Sequence, residues 1–130
     1  MNDKKIKIAG AGISGLTAAI NLAKAGYRVE IYEANETSGK RFNGDLQGIE
    51  NWIFKEEALN FLKRINIELN FNYTPFKNVF IWGPDNYRKE ITFPRPLYYL
   101  LRRGSEKGCF DQSLLEQAQK KNNIKIYFKP

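Results

Sequence analysis

Histidine is absent from this 130-residue chain, and cysteine occurs once, at Cys109. Without histidine, no His-based triad, proton relay or histidine-ligated metal site can be built from these residues, and no metal is expected. A single cysteine excludes an internal disulfide and a Cys-x-x-Cys redox pair, so Cys109 is read as a small buried side chain. Long apolar runs are missing too. Nothing approaches the roughly 20 residues of a membrane span, and no leader-like segment precedes the first strand, so a cytoplasmic location is expected by default. Acidic residues are in the minority: 14 Asp and Glu stand against 21 Lys and Arg, a net charge of +7. Such a surplus can draw nucleic acid, acidic lipid or an anionic cofactor. The basic residues are scattered, however, as Lys4, Lys5 and Lys7, Arg102 and Arg103, then Lys120 and Lys121. No zinc-ligand pattern, RNA-binding signature or recognition-helix pattern accompanies them, which points to a solvated surface and to no nucleic-acid partner. Internal repeats and low-complexity segments are also lacking.

What is present is concentrated near the N-terminus, in Gly10-Ala11-Gly12-Ile13-Ser14-Gly15. Glycines at these spacings let a strand turn tightly into a helix while the backbone approaches a pyrophosphate. The helix start then offers free N–H groups and a positive dipole end to the phosphates. The surroundings supply the context that the motif requires. Lys4 to Ala9 read as a short strand with Ile6 and Ile8 as its apolar residues, and Leu16, Ala19, Ile20 and Ala23 form one helical stripe. Gly26 stands where that helix would stop, and Arg28 to Tyr32 form a second strand ending at Glu33. Strand, glycine turn, helix, strand and acid thus follow in order within about 30 residues, a βαβ unit. Lys7 is the exception in a strand expected to be buried on both faces, and it is placed near the strand's open end. Glu33 suits ribose hydroxyls and disfavours NADP, whose 2′-phosphate would meet a like charge; FAD and NAD both remain.

Gly10 to Ala19 (GAGISGLTAA) and Glu33-Ala34 together resemble the N-terminus of the two-dinucleotide-binding-fold flavoprotein superfamily. That group includes amine oxidases, phytoene-desaturase-like enzymes, geranylgeranyl reductases and aromatic-ring monooxygenases. Many members continue from the acid as E-A-x-x-x-x-G-G-R. Here Glu33-Ala34-Asn35-Glu36-Thr37-Ser38-Gly39-Lys40-Arg41 matches the first glycine and the arginine and places Lys40 at the second glycine. The resemblance implies FAD as cofactor, bound by the loop Gly10, Ala11, Gly12, Ile13, Ser14 and Gly15. It puts Glu33 and Ala34 at the adenosine ribose, and Gly39 and Arg41 near the pyrophosphate. Tyr98 to Arg103, then Gly108 to Leu115 and Ala118, are similar to a reductase and monooxygenase segment in which an arginine precedes a helix; Arg102, or its neighbour Arg103, would touch the cofactor there. The implied activity is that of an FAD-dependent oxidoreductase, of reductase or monooxygenase type. Hydride would pass through the flavin to or from a small-molecule substrate, apolar or lipid-like, with NAD(P)H as an electron donor. Members of this group are more than twice as long, so the sequence is expected to be an N-terminal portion of such an enzyme. A non-catalytic dinucleotide-binding module and an NAD-dependent dehydrogenase are the alternatives.

The remainder reads as mixed structure. Ala58, Phe61, Leu62 and Ile65 give a helical stripe, with Lys55, Glu56, Glu57, Lys63 and Arg64 on the wet side. Asn78–Trp82 and Tyr87–Phe93 look like two strands of a hairpin, joined by Gly83-Pro84-Asp85-Asn86 and punctuated by Pro94 and Pro96. Trp52, Phe54, Phe71, Tyr73, Phe76, Phe80 and Trp82 are expected chiefly as core, with an apolar substrate pocket as the other use. Asp111 is a plausible N-cap for a helix whose Leu114, Leu115 and Ala118 share a face, and Ile124, Ile126 and Phe128 alternate as the strand after it. The expected fold class is α/β: an incomplete Rossmann-like unit with a parallel sheet, residues 1–50 and 97–130, and an inserted helix and hairpin, residues 51–96, opening an antiparallel substrate layer.

Overall fold

Lysine and isoleucine alternate in KIKIA, and in the computed structural model, which describes residues 4–129, that alternation becomes an edge strand with one dry side. This is β1 (Lys5–Ala9), joined through α1 (Ile13–Lys24) to the parallel strand β2 (Arg28–Glu33). Ile6 lies beside Val29 and Ile8 beside Ile31, so one face of the pair is apolar. Against it α1 sets Leu16, Ala19, Ile20 and Ala23, all four of the expected stripe and all buried. Gly26 ends the connection at φ +89°, a left-handed conformation that glycine adopts without steric cost. Each large side chain buried here contributes on the order of 1.5–3 kcal/mol.

The third parallel strand, β8 (Ile124–Phe128), pairs with the other edge of β2, placing Ile124 beside Val29 and Ile126 beside Ile31. The helix before it, α3 (Phe110–Gln119), lies beside α1 on the same face and buries Leu114, Leu115 and Ala118 as expected. Its N-cap is Cys109 rather than Asp111. Asp111 stands two residues further in, within the first turn, and its carboxylate is committed to other partners, described below. The outer face of this sheet carries Lys5, Lys7, Tyr32, Lys125 and Tyr127, all exposed, with the two tyrosine rings stacked 5.0 Å apart. Lys7 belongs to that wet face, its ammonium 5.8 Å from the Tyr32 ring, so the expected burial on both faces is not found among the described residues.

A second, antiparallel sheet has the order β3-β7-β4, formed by β3 (Asn43–Glu50), β7 (Tyr98–Gly104) and β4 (Tyr73–Phe76). Sequence pattern predicted none of the three. The run Asn-Gly-Asp-Leu-Gln-Gly-Ile-Glu of β3 has little apolar alternation, and Leu46 is exposed; its pairing with β7 makes it a strand. On β7 the inward residues are Tyr99, Leu101 and Arg103, against which α3 packs. The short helix α2 (Ala58–Arg64) buries Leu59 and Leu62. The expected stripe is therefore rotated: Leu59 enters the core, while Phe61 stays half exposed under the Arg64 guanidinium, 5.0 Å from its ring. The expected hairpin forms as β5 (Asn78–Trp82) and β6 (Arg88–Thr92), a two-stranded sheet of its own. Of the aromatics expected as core, Phe71 is buried, whereas Trp52, Phe54, Phe80 and Trp82 are exposed, because the loop and hairpin carrying them project away from the packed sheets.

Among the glycines, the closest approach lies between α1 and the end of β1. A Cβ placed on Gly15 would lie 2.1 Å from the Gly10 carbonyl oxygen. Gly15→Ala is accordingly expected to lower stability by about 1–3 kcal/mol, read as a reduced urea midpoint; an unshifted midpoint would show that the helix can rest further from the strand.

Candidate functional site

The glycine loop turns from β1 into α1 with each glycine in a different physical situation. Gly10 has φ +92° and donates its N–H to the Tyr32 carbonyl at 2.7 Å, tying the end of β1 to β2. Gly15 is required by the contact just described. Gly12, the N-cap of α1, has the ordinary values φ −75° and ψ 175°, and a Cβ there would meet nothing within 4 Å. Neither its backbone nor its protein neighbours call for glycine. The α1 N-terminus has no side-chain cap and no acidic residue in its first turn, so its leading amides and dipole end open outward beside Gly12.

Those amides face a cleft of about 380 Å³. Of the residues expected at a cofactor, Gly10, Gly12, Ile13, Ser14, Gly15, Glu33, Gly39 and Arg41 line it. Ala11 is buried behind the loop, and Ala34 is exposed outside the lining. Arg102 also lies outside it, on the surface, where it pairs with Glu106 at 3.1 Å; its neighbour Arg103 occupies the wall instead. Strand parity decides between the two arginines: Tyr99, Leu101 and Arg103 share the inward side of β7. Reading Tyr98–Gly104 as a strand would have selected Arg103 from sequence.

Glu33 lines the cleft beside the glycine loop. The Ala11 amide donates to its Oε2 at 2.7 Å, and the Asn35 amide and side chain donate to its Oε1 at 2.9 and 2.7 Å. Partial burial pushes its pKa up, but the donors from Ala11, Asn35 and Ala34 outweigh it, holding the carboxyl below the usual range. Because the folded value is the lower one, the stabilisation from ionised Glu33 is complete above the ordinary carboxyl range and is lost as pH falls through the depressed value. Wild-type stability should thus drop more steeply than that of Glu33→Gln between neutral and acid pH in urea titrations. Parallel curves would contradict the depressed carboxyl.

The opposite wall is assembled from distant segments. Arg103 and Asp111 form a buried, two-pronged ion pair, with Nε to Oδ2 and Nη2 to Oδ1 both at 2.8 Å. The Gly104 amide also donates to Asp111 at 3.0 Å, Arg103 Nη1 donates to the Gln47 side chain, and the guanidinium lies 4.2 Å from the Phe42 ring. Gly39 fits against this assembly at φ +75°; a Cβ there would lie 2.5 Å from the Gly104 carbonyl oxygen. The loop between β2 and β3 is pinned by the Ser38 hydroxyl donating to the Ala11 carbonyl at 2.5 Å and by Gln112 donating to Ser38 and Thr37. Asn35, Thr37, Phe42, Gln47 and Asp111 were not singled out at the cofactor from sequence, and Arg103 only as the alternative to Arg102; chain crossing is what brings Gln47, Arg103 and Asp111 together. Removing one partner of the buried pair leaves a charge without compensation, so Arg103→Ala should cost about 3–5 kcal/mol in urea unfolding. Arg102→Ala should stay within about 0.5 kcal/mol. Equal losses would refute the distinction.

A second, mainly apolar cavity of about 700 Å³ adjoins the cleft and shares Ile13 with it. Its walls include Ile49 of β3, Phe54, Phe61 and Leu62 of α2, Leu101 and Phe110. Among the described residues, no helix is long and apolar enough to cross a membrane.

Comparison with known proteins gives the unit its relatives. Residues 8–64 match the NAD(P)-binding Rossmann-like domain family. A thiamine thiazole synthase of Thermotoga maritima is 43% identical over 63 residues, covering 48% of this chain and 25% of the relative. An L-amino-acid oxidase of the fish Siganus canaliculatus is 32% identical over 129 residues, covering 89% of this chain and 24% of the relative. Among solved structures, p-nitrophenol 4-monooxygenase from Pseudomonas putida superposes with a TM-score of 0.69 at 16% identity, over 96% of this chain and 32% of that one, a likeness of fold. The chain spans about a quarter of the length of these two curated relatives.

Proposed function

We propose that this chain is an N-terminal unit of the FAD-dependent oxidoreductase superfamily and that it binds the ADP half of FAD in the glycine-loop cleft. In that role it is part of a flavin-dependent oxidoreductase. The observation that carries the proposal is Gly12. Its backbone is ordinary and its surroundings are empty, so a glycine there serves only something approaching from outside. A pyrophosphate laid across the α1 N-terminus is such a ligand, since open amides and the dipole end suit anionic oxygens. Gly10 and Gly15 shape the turn around it, with Ala11, Ile13 and Ser14 supplying the rest of the loop. Glu33 suits the ribose hydroxyls of the adenosine end, and its negative charge opposes a 2′-phosphate. Arg41, on the rim beside Gly39, makes no ion pair among the described residues and is the proposed phosphate partner. Arg103 replaces Arg102 as the arginine of the site, acting through its hold on Asp111 and Phe42.

When bound, FAD supplies the electron-accepting and hydride-transferring chemistry. The residues of this chain bind and orient it. A small-molecule substrate of apolar character is supported by the cavity of about 700 Å³ next to the cleft. NAD(P)H as electron donor rests on the superfamily alone. The split into a dinucleotide unit of residues 1–50 and 97–130 and an inserted segment of residues 51–96 is retained as part of the proposal; the projecting hairpin β5–β6 is its clearest support.

Gly12→Ala separates ligand binding from folding. The urea midpoint should stay within about 0.5 kcal/mol of wild type, while FAD affinity falls at least tenfold, about 1.4 kcal/mol. Glu33→Ala should weaken FAD retention as well. Absorbance and fluorescence titration with FAD measure both. A Gly12→Ala protein that binds FAD as well as wild type would sink the assignment, and quenching of NADH fluorescence by a chain that FAD cannot turn yellow would favour an NAD site.

A further inference from the structure

Lys40 departs from the E-A-x-x-x-x-G-G-R pattern that its loop resembles, standing at the position of the second glycine. The backbone there is not in the left-handed region, so a lysine sits without strain. Lys40 is among the residues lining the cleft, next to Arg41. The ammonium pairs with Glu36 at 3.2 Å, and both partners are well exposed, at 53% and 75%. An exposed pair of this kind is worth about 0–1 kcal/mol, so the ammonium can exchange it readily.

The charges around the cleft show what it would be exchanged for. Five charged residues line the wall: Glu33, Lys40, Arg41, Arg103 and Asp111. Arg103 and Asp111 neutralise one another in the buried pair, and Glu33 is held by the Ala11 amide at the ribose end. Lys40 and Arg41 are left as adjacent cations on one side of the α1 N-terminus, with Glu36 as the only counter-charge on either among the described residues.

We propose that Lys40 is a second phosphate ligand of this cleft, parked on Glu36 when the cleft is empty and transferred to the diphosphate when a nucleotide enters. The inference rests on the dinucleotide reading of the cleft and adds to it a cation particular to this chain. Lys40 makes affinity for a nucleoside diphosphate depend on salt and on the competing carboxylate, and leaves affinity for the nucleoside itself untouched.

ADP and adenosine are the probes, measured by calorimetric titration of the full chain at low ionic strength. Lys40→Gln should weaken ADP about three- to tenfold, the scale of one partly solvated charge-assisted contact, with adenosine unchanged. The difference should close as salt shortens the screening length from about 30 Å at 0.01 M to about 3 Å at 1 M. Glu36→Gln should tighten ADP by freeing the ammonium, and that gain should vanish in the Lys40→Gln background. ADP binding unchanged in Lys40→Gln would overturn the proposal, as would equal losses for ADP and adenosine. A gain from Glu36→Gln that survives without Lys40 would overturn the exchange. If the wild-type chain binds neither ADP nor adenosine, the dinucleotide reading falls and the proposal with it; if it binds ADP, the Lys40 comparison decides alone.

Discussion

The approach of α1 to the end of β1, backbone against backbone at Gly10 and Gly15, is the constraint on which the other features rest. Because no side chain separates them, the helix starts directly above the strand and its first amides open at the sheet's edge rather than over its middle. The same approach lets Leu16, Ala19, Ile20 and Ala23 reach Val29 and Ile31 and lets α3 lie alongside, so the core and the cleft share one geometric origin. A helix held a methyl group further away would loosen both. Gly12 lies outside this contact, open to the cleft, and so stands apart from the two glycines that the fold itself requires.

The second sheet closes the cleft from the other side. β7 carries Arg103 to the wall, α3 brings Asp111 beneath it, and β3 adds Gln47. A guanidinium and a carboxylate at this depth would each be costly alone; paired in two prongs and supplied with the Gly104 amide, they form a stiff, electrically neutral joint between sheet and helix. Neutrality matters for the ligand. With that pair cancelled, the charges left on the cleft lining are Glu33, Lys40 and Arg41 beside the positive helix start, a set that suits the ribose and phosphates of the proposed ligand.

The relatives share this unit and differ in chemistry: a thiazole synthase and an amino-acid oxidase by sequence, a nitrophenol monooxygenase by fold. A frame that hosts such different reactions cannot by itself identify one. In the proposed function the cleft residues bind and orient a dinucleotide, and the apolar cavity beside them is the proposed place of substrate choice.

The local signals were legible because each depends on near neighbours in sequence. The KIKIA alternation, the i, i+3, i+4, i+7 stripe of α1, the glycine spacing, Glu33 at the end of β2 and the Gly83-Pro84-Asp85-Asn86 turn all appear in the fold where the pattern puts them. The antiparallel sheet was not legible, since β3 and β4 become strands only by pairing with β7, more than 20 residues away by register, as in Thr74 with Leu100 or Gln47 with Leu101. The same cause left the choice between Arg102 and Arg103 open and misplaced Asp111: a cap is judged from adjacent residues, whereas this carboxylate answers to an arginine on another element. The sequence alone determined a βαβ unit with an anion-seeking turn and an acid at its far end, because short-range periodicity and glycine stereochemistry suffice for that. Only the tertiary structure decided which arginine faces the cleft and which glycine is left open for a ligand, because both depend on what other segments bring within reach.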